Sequence, residues 1–128
     1  MSGIFVAAAG GVGSVAPPPS GLTAQLGWNI GSPYNVAGAT GTTPTNSYTY
    51  SATGGTPPYT FSNEMIQNPS GKIDVVAVSN SSGPGQFAIF YQNFAVNESQ
   101  SGRVKINVTD SLGATSFALH DQTIKRTS

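Results

Sequence analysis

A chain of 128 residues is long enough for one domain with one core and too short for two comfortable ones. Only 8% of its residues are charged and five acids balance five bases. Without clustered Lys and Arg to meet a phosphate backbone, nucleic acid is excluded as the expected partner. The absence of cysteine excludes disulfides, thiolate nucleophiles and sulfur-ligated metals.

Residues 1–21 differ from everything that follows. Ile4, Phe5 and Val6 form an apolar nub, a run of Ala and Gly comes next, and Pro17, Pro18 and Pro19 close the segment. The glycines disfavour a helix and the prolines favour an extended polyproline course. No Lys or Arg precedes the apolar run and glycines interrupt it, so a cleaved secretory signal is not expected. No stretch approaches the roughly 20 apolar residues of a membrane span. The segment reads as an extended arm, residues 1–21, ahead of a folded domain, residues 22–128.

From Leu22 onward the pattern alternates. Leu22, Ala24, Leu26, Trp28 and Ile30 share one side and Thr23, Gln25, Gly27 and Asn29 the other, the period of a half-buried strand. Gly31, Ser32 and Pro33 break it, and residues 37–46 read as a loop. A second strand is predicted over residues 47–53, with Tyr48, Tyr50 and Ala52 on one face. Pro57 and Pro58 make the next turn, since neither can donate to a ladder. Residues 59–65 predict a short strand and residues 67–71 a turn.

The β-branched stretch 73–78 predicts a central strand. Residues 79–85 form a loop and residues 86–91 a further strand. Alternation is cleanest over residues 102–109, with Val104, Ile106 and Val108 inward and Arg103, Lys105 and Asn107 outward. After a turn at residues 110–113, residues 115–124 close the sheet with Phe117 and Leu119 on a shared face. Short strands, frequent turn signals and no helical period predict an all-β fold, a sandwich of about seven antiparallel strands.

Two segments carry a resemblance. Gly54-Gly55-Thr56-Pro57-Pro58-Tyr59-Thr60-Phe61 is answered by Ile106-Asn107-Val108-Thr109-Asp110-Ser111-Leu112-Gly113-Ala114-Thr115. They resemble the opening strand and last hairpin of the bacterial and phage immunoglobulin-like domains known as putative Ig or cadherin-like domains. The likeness covers about residues 48–119. It implies an immunoglobulin-like sandwich that holds, spaces or docks something without performing chemistry.

One such domain behind a Gly/Pro arm looks like a bacteriophage virion component. The implied role is a capsid decoration or cement subunit on the particle surface, made in the host cytoplasm. Its partners would be the major capsid protein or other virion proteins, in a homo-oligomer or symmetric array. Near-zero net charge favours such association. The alternatives are a tail or fibre component and a carbohydrate-binding adhesion module.

The arm supplies the candidate docking residues: Ile4, Phe5, Val6, Val12, Val15, Pro17, Pro18 and Pro19. Each fully buried apolar side chain would contribute about 1.5–3 kcal/mol. His120 beside Asp121, with Ser116 near, invites a hydrolase triad. Strand neighbours point to opposite faces, however, and no serine lies in a nucleophile-elbow motif. No enzyme activity and no catalytic residue are expected. Glu64, Asp74, Glu98, Asp110 and Asp121 lack metal-ligand spacing, so no metal or cofactor is expected. Asp110 is expected to bond its own turn. Trp28, Tyr34, Tyr48, Tyr50, Tyr59, Phe87, Phe90 and Tyr91 are expected to be mostly core, any remainder offering a platform for weak glycan contacts.

Overall fold

The computed structural model describes residues 21–128. Its strands follow the alternation in the sequence: β1 (Thr23–Trp28), β2 (Tyr34–Val36), β3 (Gly41–Thr42), β4 (Tyr48–Thr53), β5 (Thr60–Ile66), β6 (Ile73–Val75), β7 (Gly85–Phe87), β8 (Ile89–Tyr91), β9 (Ser99–Thr109) and β10 (Thr115–Arg126). The described residues form an all-β structure. One sheet has four strands in the order β2, β10, β9, β5, and two have three, β1, β4, β7 and β3, β8, β6.

The four-stranded sheet is built on a long hairpin. β9 and β10 pair from Ser99 opposite Lys125 to Thr109 opposite Thr115, and β5 runs along the other side of β9. Val104, Ile106 and Val108 of β9 are no more than 1% exposed, as their alternation predicts. On β4, Tyr48 and Tyr50 are buried in the same way. The sheets meet through these side chains. Tyr50 packs on Phe61 of β5 with ring centroids 5.0 Å apart, Tyr48 reaches Gln122 of β10 through its hydroxyl, and within its own sheet Tyr48 stacks on Phe87 of β7 at 5.2 Å. The core residues run from Leu22 to Ile124, and all three sheets contribute to it.

Several predicted elements differ from those observed. The stretch 73–78 is not a central strand: β6 ends at Val75 on the edge of its sheet, and Val76 is 41% exposed. β-Branching signals extended backbone, but the ladder ends with β8, its three-residue partner. The strand predicted over residues 86–91 is two. β7 pairs with β4, while β8 pairs with β3 and β6. Phe87, Ala88 and Ile89 are all buried, which alternation on one sheet does not allow, and the chain changes sheets at Ala88.

β2 and β3 lie where the sequence shows only a break and a loop. β2 joins the end of β10 in parallel, with Tyr34 opposite Ile124 and Val36 opposite Arg126. Finally, Phe117 and Leu119 share a face, but that face is the outer one, where they are 57% and 41% exposed. The inward positions of β10 go to Ser116, Ala118, His120, Gln122 and Ile124.

Candidate functional site

The eight candidate docking residues, Ile4, Phe5, Val6, Val12, Val15, Pro17, Pro18 and Pro19, lie outside the described residues. What the described residues show is the end of the body from which that segment departs. Here the turn after β9 meets the loop before β5. The Asp110 carboxylate accepts the amides of Thr56 at 2.9 Å, Leu112 at 3.0 Å and Ala114 at 2.9 Å. Ser111 adds its amide and hydroxyl to the Thr56 carbonyl, at 2.9 and 3.0 Å. Foremost the Thr56 amide, with those of Ala114 and Leu112, holds the Asp110 carboxyl below the usual carboxylate range, against the effect of burial. The aspartate thus bonds its own turn, as its sequence context predicts, and also ties that turn to the Gly54 loop.

That loop is closed by glycine. Gly54 has φ of +71°, and a Cβ there would lie 2.1 Å from the Gly21 carbonyl oxygen. Gly55 has φ of +62°, and its Cβ would meet Asp110 Oδ2 at 2.8 Å. Only glycine combines this backbone with so close an approach. Three residues after Gly21, the Ala24 amide donates to Ser116 Oγ at 3.2 Å. The chain therefore enters the body beside the first residues of β10.

The outer face of β5, β9 and β10 is mixed in chemistry. Arg103 binds Asp121 at 2.7 Å, and Lys105 Nζ sits 4.7 Å from the centroid of Phe117. Asn107 donates to Glu64 at 3.2 Å. A shallow groove of about 520 Å³ opens among Lys105, Asn107, Thr109, Thr115 and Phe117. Its walls offer hydroxyls, an amide, one ammonium and a ring, with no paired acid and base. The corresponding face of β1, β4 and β7 carries a depression lined by Gln25, Thr49, Ser51 and Gln86 together with Leu26, Tyr50 and Pro84.

The imagined triad is dispersed. Asp121 is on the outer face with Arg103, Ser116 Oγ accepts the Ala24 amide, and His120 points inward. The His120 ring stacks on Trp28 with centroids 3.9 Å apart and tilts toward Tyr48 at 5.7 Å. Its Nε2 is buried without a hydrogen-bond partner. Burial pushes the imidazole below its ordinary range, opposed by Gln122 and by the charge of Asp121. The sequence gives no sign of the Trp28 contact, since the two residues lie far apart on strands of different sheets.

The carboxylates also stand apart. Among the described residues no three of His, Cys, Asp and Glu gather into a possible metal site. Glu98 is held by Lys72 at 2.8 Å, by the Ala95 amide and by Gln100. Led by Lys72, these donors bring its carboxyl down to about 2.

Of the eight aromatics weighed as a platform, Tyr48, Tyr50, Phe87 and Tyr91 are buried, and Trp28 alone is strongly exposed, at 50%. One face of its ring is taken by His120. No family model, curated protein or solved structure matches the chain.

Proposed function

We propose that the chain is a non-enzymatic structural subunit of a bacteriophage virion, an immunoglobulin-like β-sandwich that decorates the capsid and binds it through residues 1–21 and the body together. In this reading the four-stranded sheet and the sheet of β1, β4 and β7 are the two layers. The phage assignment draws on the resemblance of residues 54–61 and 106–115. These two segments are joined by the Asp110 to Thr56 bond, as expected of parts of one structural unit.

The observation that carries a docking role is the exposure of Phe117 and Leu119 on the outer, net-neutral face of the four-stranded sheet, near the turn between β9 and β10. A complete core lies beneath that face, so the two side chains contribute little to folding. Their burial against another surface would contribute about 1.5–3 kcal/mol each, and repetition around a symmetric shell multiplies that gain. Such a subunit strengthens the shell by adding interface between capsomers. Tail or fibre placement would use the same surface. The glycan reading has less support, because the aromatic residues are largely core.

The test is co-sedimentation of the full chain with capsid shells of the phage that encodes it. Saturable binding at a fixed ratio is expected. Deletion of residues 2–20 should leave a folded protein in the supernatant, since the core begins at Leu22. Absence of the full chain from shells and tails, together with glycan binding lost on substitution of Trp28, would overturn the proposal.

A further inference from the structure

The outer face of β10 is inverted for a surface that stays in water. Phe117 and Leu119 face solvent while Ser116, His120 and Gln122 take inward positions. A one-residue slip would exchange the two sets. Several features forbid it: the register with β9, the complete burial of Ile124, and the bonds from Gln122 to Tyr48 and to the Gly31 carbonyl. The face is also closed electrostatically. Arg103 has Asp121, Lys105 lies over Phe117, and Glu64 has Asn107. Such a face suits an apolar, uncharged strip.

We propose that Ile4, Phe5 and Val6 of a second copy of this chain cover Phe117 and Leu119, linking copies arm to sheet. This rests on the reading of residues 1–21 as a docking arm. Three observations select the occupant. Residues 1–20 contain no Asp, Glu, Lys, Arg or His, so their side chains match the neutral face. The described chain starts at Gly21, packed against Gly54, and Ala24 is bonded to Ser116. The segment therefore departs beside the groove of Lys105, Thr115 and Phe117. Third, residues 7–20 reach up to about 45 Å when extended, and Pro17, Pro18 and Pro19 favour extension. That length is enough for the apolar triplet to span from its own body to a neighbour's sheet. Each copy then offers one arm and one face, a head-to-tail contact that closes into rings or propagates across a surface.

The experiment is sedimentation velocity of the purified full chain, without particles, from low micromolar to several hundred micromolar. Wild type should associate as concentration rises. Phe5→Asp and Phe117→Asp should each weaken association by about tenfold or more, the loss expected from one buried ring. Mixing the two variants should give a discrete one-to-one complex, because the intact face of the first accepts the intact arm of the second. Hydrogen exchange at residues 116–120 should slow in that complex.

Phe117 is exposed, so its variant should keep the wild-type circular dichroism, and Leu119→Ser provides a second lesion on the same face. Association unchanged in Phe5→Asp would mean that the faces pair directly and would overturn the proposal. A monomer at every concentration, with or without protection of its own β10, would overturn it too. Capsid co-sedimentation can succeed or fail independently of these results, so the two readings are tested separately.

Discussion

The Asp110 carboxylate accepts the amide of Thr56 at 2.9 Å, across 54 residues of sequence. With Leu112 and Ala114 bonded to the other oxygen, one side chain satisfies donors from two loops. Asp110→Ala would leave these amides without their acceptor, and Asp110→Asn would keep shape while losing charge. Both should lower the urea midpoint, the alanine variant more. The depressed carboxyl also sets a pH dependence. Its contribution is fully present above the unfolded carboxylate range, about pH 4, and is lost as pH falls through the lower native value. Glu98, near 2 in the folded protein, acts in the same direction. Urea midpoints measured from pH 7 to pH 2.5 should fall below about pH 4, and less steeply in Asp110→Asn.

Gly54 and Gly113 separate two reasons for a glycine. Both have positive φ, +71° and +87°, but a Cβ on Gly113 would meet nothing within 4 Å whereas one on Gly54 would strike the Gly21 carbonyl. Gly113→Ala is expected to cost about 1 kcal/mol for backbone conformation alone. Gly54→Ala should cost about 3 kcal/mol or more, because backbone must also move. Equal losses in chemical denaturation would show that the Gly21 to Gly54 approach is not a constraint.

Tyr48 donates its hydroxyl to Gln122 inside the core, joining β4 to β10. The ring is fully buried, and burial pushes its phenol well above the ordinary tyrosine range. Tyr48→Phe keeps the packing on Phe87 but leaves the Gln122 oxygen without that donor, a loss of about 1–3 kcal/mol. In a spectrophotometric titration of the native protein, Tyr48 should stay protonated to the onset of alkaline unfolding. The same residue should be missing from the late-ionising signal of Tyr48→Phe.

Strand positions were legible where one face of a strand is buried and long enough to show it. Val104, Ile106 and Val108 announce β9, and Tyr48 and Tyr50 announce β4. β2 escaped because its three residues are too few to alternate, and its partner lies some ninety residues away at the end of β10. The split at Ala88 escaped because a run of buried residues looks the same in one strand as in two.

The role of Asp110 as a turn former was readable from Asp110 to Gly113, but its grip on Thr56 was not, since nothing local specifies a contact between loops. The outward placement of Phe117 and Leu119 opposes the usual rule that apolar residues face the core. Composition alone would have buried them. Only the register with β9 and the inward bonds of Gln122 reveal the inversion.

His120 offers a final test, because it lies against the only tryptophan of the chain. Burial lowers the imidazole below its unfolded value, while the Gln122 side chain and Asp121 on the neighbouring position work the other way. Asp121 is itself committed to Arg103 on the opposite face. Between the native value and about 6.5 the unfolded chain binds the extra proton, so stability rises with pH across that window and is lost as pH falls through it. A protonated imidazole against an indole face quenches its emission. Trp28 fluorescence should therefore drop along a single titration curve centred below pH 6.5, ahead of unfolding. His120→Gln should abolish the curve, and a midpoint at or above 6.5 in wild type would show that the ring is not desolvated by the Trp28 stack.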